Sequence, residues 1–133
     1  MRKLGLLSAL LTTILFAEFK TIDVAALEKM QAAGVPVIDI RTPGEWKETG
    51  IIKGAHTIMF FTPRGEPDTA NWFFQLGHLI QEKNAPLIIY CAHANRTKAL
   101  GKGLEKMGFS HIYELRGGIE NGWIKAGKPT IKK

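Results

Sequence analysis

Three short runs of strand length, Val35 to Ile40, Leu87 to Tyr90 and His111 to Leu115, are separated along this chain by segments with helical spacing. The first two are almost continuously apolar, the pattern of strands covered on both faces rather than wetted on one. A further strand is expected at Gly54 to Met59. Between the runs, apolar residues recur at helical steps. Val24, Leu27 and Met30 follow a cap at Thr21 or Asp23 and stop at Gly34. Phe73, Leu76 and Ile80 share a face of a helix expected over Trp72 to Lys83, and Leu100, Leu104 and Met107 a face of one over Arg96 to Met107, with Gly108 as its stop. Pro43-Gly44 opens a turn or short helix through Thr49, and Ile119 to Ala126 is expected to form a last helix after the Gly117-Gly118 turn. Strands alternating with helices imply an α/β fold with a parallel sheet covered on both faces. In such sheets ligands bind beyond the carboxyl ends of strands. Cys91 lies at one such end, and Asp39 and Arg41 at another.

With 133 residues, 45% hydrophobic and 23% charged, the chain has the composition of one ordinary globular domain. Met1-Arg2-Lys3 followed by the uncharged apolar stretch Leu4 to Phe16 reads as a secretory leader with cleavage after Ala17. That stretch falls short of the roughly 20 residues a membrane-spanning helix needs. The expectation is therefore a signal peptide over 1–17, a single domain over 18–133, and a periplasmic or otherwise exported location with no membrane span in the mature chain. The formal charge of +6 is scattered over the surface. No basic stripe interleaved with aromatics suggests a nucleic acid partner, although a mild positive field favours small anions.

The chain has one cysteine. An exported lone thiol forms no internal disulfide and is a liability unless it is used. Cys91 begins the loop Cys91-Ala92-His93-Ala94-Asn95-Arg96-Thr97, between the end of a strand and the start of a helix. Free backbone N–H groups at a helix start, and the helix dipole, favour negative charge, including a thiolate. Arg96 adds a fixed positive charge with donors suited to oxyanions. The layout is that of a thiolate nucleophile beside an anion cradle. The four histidines show no metal-ligand spacing, and one cysteine gives no support for a zinc site. His93 alone lies in the loop, for substrate contact or simple exposure. Asp39 and Arg41 are expected to form a structural ion pair with Glu45 rather than to take part in chemistry. Phe60, Phe61, Trp72, Phe73 and Phe74 are expected mostly in the core, with one or two walling the mouth of a pocket. The segment from Phe60 to Asn71 carries Pro63, Gly65, Pro67 and Asp68, a loop long enough to have a role near a site.

Four elements resemble the rhodanese-like family in order and separation. They are Asp39-Ile40-Arg41-Thr42-Pro43-Gly44-Glu45-Trp46, Gly50 through His56, the C-x4-R-[ST] loop from Cys91 to Thr97, and Gly108-Phe109 with Leu115-Arg116-Gly117-Gly118 and Trp123 through Pro129. The resemblance runs from about Phe19 to Pro129. It implies a three-layer domain with a central parallel sheet of about five strands. It further implies Cys91 as a persulfide-carrying nucleophile, the amides of Ala92, His93, Ala94, Asn95, Arg96 and Thr97 as its anion cradle, and Arg96 as support for the loop or the donor anion. Three departures stand out. Ile51 occupies a usual histidine position, Ala94 replaces the common loop glycine, and one extra residue lies between Gly118 and Trp123.

A thiolate attacking the outer sulfur of thiosulfate or polysulfide would leave one extra sulfur on Cys91, for cyanide, a thiol or sulfite to remove. No resolving cysteine or cofactor is needed. Relatives that act on phosphate or arsenate use a loop one residue longer, so the shorter step from Cys91 to Arg96 argues for sulfur. Two readings follow: a sulfurtransferase, and a carrier that delivers sulfur to a membrane redox partner without turnover.

Overall fold

A computed structural model describes Gly5 and residues 18–133, so the expected leader and its cleavage point lie outside the described residues. Five parallel strands form one sheet: β1 (Phe19–Ile22), β2 (Val37–Asp39), β3 (His56–Thr57), β4 (Leu87–Tyr90) and β5 (Ile112–Leu115), in the spatial order β1-β5-β4-β2-β3. Among the described residues four α-helices accompany them: α1 (Val24–Ala32), α2 (Pro43–Thr49), α3 (Thr69–Leu76) and α4 (Asn95–Lys106). A π-helical segment, Ile119–Ile124, closes the chain. Among the described residues no helix is long and apolar enough to cross a membrane.

Alternation along the strands divides the core in two. On one face Ile38, Ile40, Ile89, Cys91 and Ile112 pack with Trp72 and Leu76 from α3 and Leu100 and Leu104 from α4. On the other, Val37, Ile88, Tyr90 and Leu115 pack with Leu27 of α1 and with Ile119 and Trp123 of the π segment. The expected three layers are present, and β4 is fully buried because both faces are covered. Asp23 caps α1 as expected, its carboxylate accepting from the Ala26 amide at 2.8 Å.

β1 is an element the periodicity did not predict. Only its two end residues are even partly buried, so the run carries no apolar signature. Its stability comes from distant residues: the ladder to β5, and α4. The Phe19 amide donates to the Glu105 carboxylate at 2.8 Å. The Phe19 ring lies so close to α4 that a Cβ on Gly101 would stand 2.3 Å from it. That approach is the reason for a glycine inside a helix, where it otherwise costs about 1 kcal/mol relative to alanine.

Three expected elements differ in extent. The helix expected over Trp72 to Lys83 begins at Thr69 and ends at Leu76, where Gly77 introduces tight turns from Gln75 to His78 and from Leu76 to Leu79. Ile80 is nonetheless buried. The strand expected from Gly54 to Met59 pairs regularly only at His56 and Thr57, although the Ile58 and Phe60 amides continue to donate to Asp39 and Ile40 of the neighbouring chain segment. The last helix is π-wound, the way a helix absorbs one additional residue.

Candidate functional site

Residues 91–97 curl from the carboxyl end of β4 into the first turn of α4, at the centre of the sheet. Cys91 is 1% exposed, on the α4 face, and its Sγ stands 3.7 Å from the hydroxyl of the fully buried Thr97. None of the backbone amides from Ala92 through Thr97 finds a hydrogen-bond acceptor among the described residues. Helix starts leave such donors unsatisfied, and here no side chain caps them. Six consecutive donors beside a thiol make a place for negative charge.

The turn closes through a left-handed residue. Ala94 has φ 68° and ψ 11°, and it is the only non-glycine residue with positive φ among the described residues. An L-residue in that region costs roughly 1–2 kcal/mol. Ala94→Gly is therefore expected to stabilise the fold by about 0.5–1 kcal/mol, after the larger backbone entropy of glycine is counted. A urea midpoint that stays still or falls would show the conformation to be unstrained.

Arg96 does not stand free. Its guanidinium forms a two-pronged pair with Glu45, at 2.7 and 2.6 Å. Glu45 also completes a capping box with Thr42 at the start of α2. The pair thus ties the start of α4 to the start of α2. Hydrogen bonds from Arg96 hold the Glu45 carboxyl down at about 2, against an ordinary 4.5. Glu45 in turn raises the pKa of Arg96, against the opposing effect of burial. A carboxylate depressed in this way contributes stability above about pH 4.5 that is lost as pH falls toward 2. Glu45→Gln should flatten that part of the acid unfolding curve and cost about 1–2 kcal/mol at neutral pH, allowing for water at a partly exposed pair. Parallel acid titrations of the two proteins would refute the linkage.

The expected ion pair of Asp39 and Arg41 with Glu45 needs correction. Arg41 binds Asp39 instead, with Nε and Nη2 contacts from 2.8 to 3.2 Å, and reaches Thr49 Oγ1 and the Gly50 carbonyl. Both residues are fully buried. Burial opposes the charge on Arg41 more than any one partner favours it, but the hydrogen bonds to Asp39 and the charges of Asp39, Tyr90 and Glu45 together raise its pKa. Asp39 shares the sheet face of Val37 and Tyr90, opposite to that of Ile89 and Cys91. The Asp39–Arg41 pair therefore supports the sheet from the far side, and Glu45 is left for Arg96.

His93 is half exposed and pairs with Glu120 at 2.9 Å. Behind the turn, the Ile119 amide donates to the Cys91 carbonyl at 2.9 Å and the Glu120 amide to the Ala92 carbonyl at 3.1 Å. Gly118 makes this docking possible, since a Cβ there would lie 2.4 Å from the Ala92 oxygen. On the open side, a groove of about 610 Å³ is walled by Phe61, Pro63, Asn95, Arg96 and Ala99. Phe61 is thus the aromatic at a pocket mouth, while Phe60 and Trp72 are core and Phe74 is 70% exposed. Two features escaped the sequence reading. The Arg96–Glu45 tie had a local signal in Thr42-Pro43-Gly44-Glu45, the spacing of a capping box. The contact of Lys98 with the buried Glu114 had none.

A family model described as the rhodanese-like domain matches residues 23–125. The thiosulfate sulfurtransferase GlpE of Ectopseudomonas mendocina is 29% identical over 109 residues, spanning 78% of this chain and 84% of its own length. The solved rhodanese-related protein of Thermoplasma volcanium superposes with a TM-score of 0.63 at 24% identity, over 86% of this chain and 99% of its own. The polysulfide-sulfur transferase homodimer of Wolinella succinogenes gives a TM-score of 0.64 at 21% identity, over 86% and 80% of the two chains. With its five-stranded parallel sheet and the matched segment spanning most of its length, the chain belongs to the rhodanese-like domain family.

Proposed function

We propose that this domain is a sulfurtransferase that moves sulfane sulfur through a persulfide on Cys91. The observation that carries the reading is the run of six unsatisfied amides, from Ala92 through Thr97, following the one cysteine of the chain. The Cys91 thiolate attacks the outer sulfur of thiosulfate, or a sulfur of a polysulfide. The donor's S–S bond breaks, and sulfite or the shortened polysulfide leaves with the bonding pair. The terminal sulfur of the new persulfide carries the negative charge that the turn's amides are disposed to receive. An acceptor such as cyanide or a thiol then attacks that sulfur and regenerates the thiolate. With no second cysteine, the persulfide persists until an external nucleophile arrives.

Arg96, tied to Glu45, acts in this reading by setting the start of α4 rather than as a free cation for the donor. The names of the relatives, a thiosulfate sulfurtransferase and a polysulfide-sulfur transferase, support the two donor classes. The basic start and apolar stretch before Ala17 support an exported domain beginning at Glu18.

The test is intact mass before and after exposure to thiosulfate or polysulfide. One added sulfur, about 32 Da, is expected on Cys91, then its loss as thiocyanate when cyanide is supplied. Steady thiocyanate production supports the enzyme. Loading followed by transfer only to a protein acceptor would favour a carrier over a turnover enzyme. A chain that takes up no sulfur from either donor would end the reading.

A further inference from the structure

Glu114 lies on β5 and is completely buried, yet the turn chemistry described above does not use it. One carboxylate oxygen meets Lys98 Nζ; the other, Oε2, is buried without a hydrogen-bond partner among the described residues. A buried carboxylate with an unsatisfied oxygen is a poor source of stability, even when a half-exposed lysine meets its other oxygen. The arrangement makes sense through what it does to Lys98. Glu114 pairs in register with Ile89, two residues before Cys91, and points to the α4 face on which Cys91 also lies. Held there, the half-exposed Lys98 brings its ammonium to 3.5 Å from the Ala94 carbonyl, at the outer limit of a hydrogen bond. Ala94 is the strained left-handed residue that closes the turn.

We propose that Lys98, fixed by the buried Glu114 carboxylate, is a positioning residue that pins the Ala94 carbonyl and so keeps the Cys91–Thr97 turn in its anion-receiving conformation. The proposal rests on the reading of this turn as an anion cradle. Glycine adopts the left-handed conformation without a steric penalty, so a glycine at position 94 should need the clamp less. Alanine there needs a neighbour to hold it.

The single cysteine provides a direct readout, since every alkylation event reports Cys91. The experiment compares alkylation rates with iodoacetate, an anion, and iodoacetamide, its neutral counterpart, in the full chain. The ratio in the folded protein is set against that of the same chain in urea. In the wild type the folded ratio should exceed the unfolded one. Lys98→Met should lower it by about threefold to tenfold, the worth of one net hydrogen bond; it should also lower the melting temperature, because the buried Glu114 carboxylate loses its cation, so the rates are compared where every variant is folded. Glu114→Gln should act in the same direction. Lys98→Met combined with Ala94→Gly should return to within about twofold of Ala94→Gly alone, because glycine holds the turn without the clamp.

A ratio unchanged in Lys98→Met would overturn the proposal. So would a loss that Ala94→Gly fails to restore, which would make Lys98 a direct charge contact for the reagent. A wild-type ratio equal to that of the unfolded chain would refute the anion cradle itself, and the clamp with it. Sulfur loading in the proposed reaction is scored separately, so failure of the clamp leaves that reading standing. Should Glu114→Gln fail to fold, Lys98→Met carries the test on a side chain already half exposed.

Discussion

Serine at position 91 is expected to abolish sulfur loading and to lower thiocyanate production on the order of a thousandfold or more. The substitution changes one atom, and the difference lies in what that atom can do. Sulfur is the softer and stronger nucleophile, whereas an unassisted serine hydroxyl stays protonated and attacks weakly. Among the described residues no general base is hydrogen-bonded to it: its polar contact is the Thr97 hydroxyl at 3.7 Å. With no other cysteine in the chain, no neighbouring thiol can substitute. The fold should survive, because serine fits the same volume and Thr97 offers it a partner. A stability loss of about 1–2 kcal/mol is expected from placing a hydroxyl in a site that is 1% exposed. Mass spectrometry after exposure to donor, together with a thermal melt, separates the two effects. Persistent turnover in Cys91→Ser would mean that sulfur passes through some other atom.

Asp39→Ala is expected to produce the largest stability loss, about 3–5 kcal/mol, the usual cost of stripping one partner from a buried ion pair. The carboxylate receives three side-chain contacts from Arg41 and the Arg41 backbone amide as well. Removing it leaves a guanidinium that is wholly buried and cannot shed its charge. Thr49 and Gly50 still accept from it, but neither neutralises it. For a domain whose total stability is of order 5–15 kcal/mol, that loss leaves a substantial unfolded fraction on mild heating. Chemical denaturation at neutral pH checks it. A loss below about 1 kcal/mol would show that Arg41 finds another anionic partner or reaches water. Activity should fall with the folded fraction and no faster, since this pair lies on the sheet face opposite Cys91.

The fold was legible where local pattern and tertiary demand agree. Asp23 is both a good cap and the observed one, and Leu87 to Tyr90 is apolar because both faces of β4 are covered. The position of Cys91 followed from the same agreement, a strand ending where a helix pattern begins. β1 was illegible because its order depends on Ile112, Gly101 and Glu105, all more than 80 residues away. The partners of the arginines were illegible for a related reason. Residue spacing places Asp39, Arg41, Glu45 and Arg96 near a common sheet edge, but strand alternation and the capping box decide which carboxylate each guanidinium meets. Lys98 and Glu114 have no local mark at all, being an ordinary helical lysine and a strand glutamate until the sheet brings them together.

The docking of the π segment behind the turn has a consequence for the direction of the turn's dipoles. A trans peptide is planar, with its carbonyl and its N–H pointing opposite ways. The Cys91 carbonyl is drawn backward by Ile119 and the Ala92 carbonyl by Glu120. The N–H groups of the same two peptide units, those of Ala92 and His93, must therefore point forward, away from the closing segment. The last element of the domain thus orients the first two dipoles of the turn, although it contributes no side chain to Cys91.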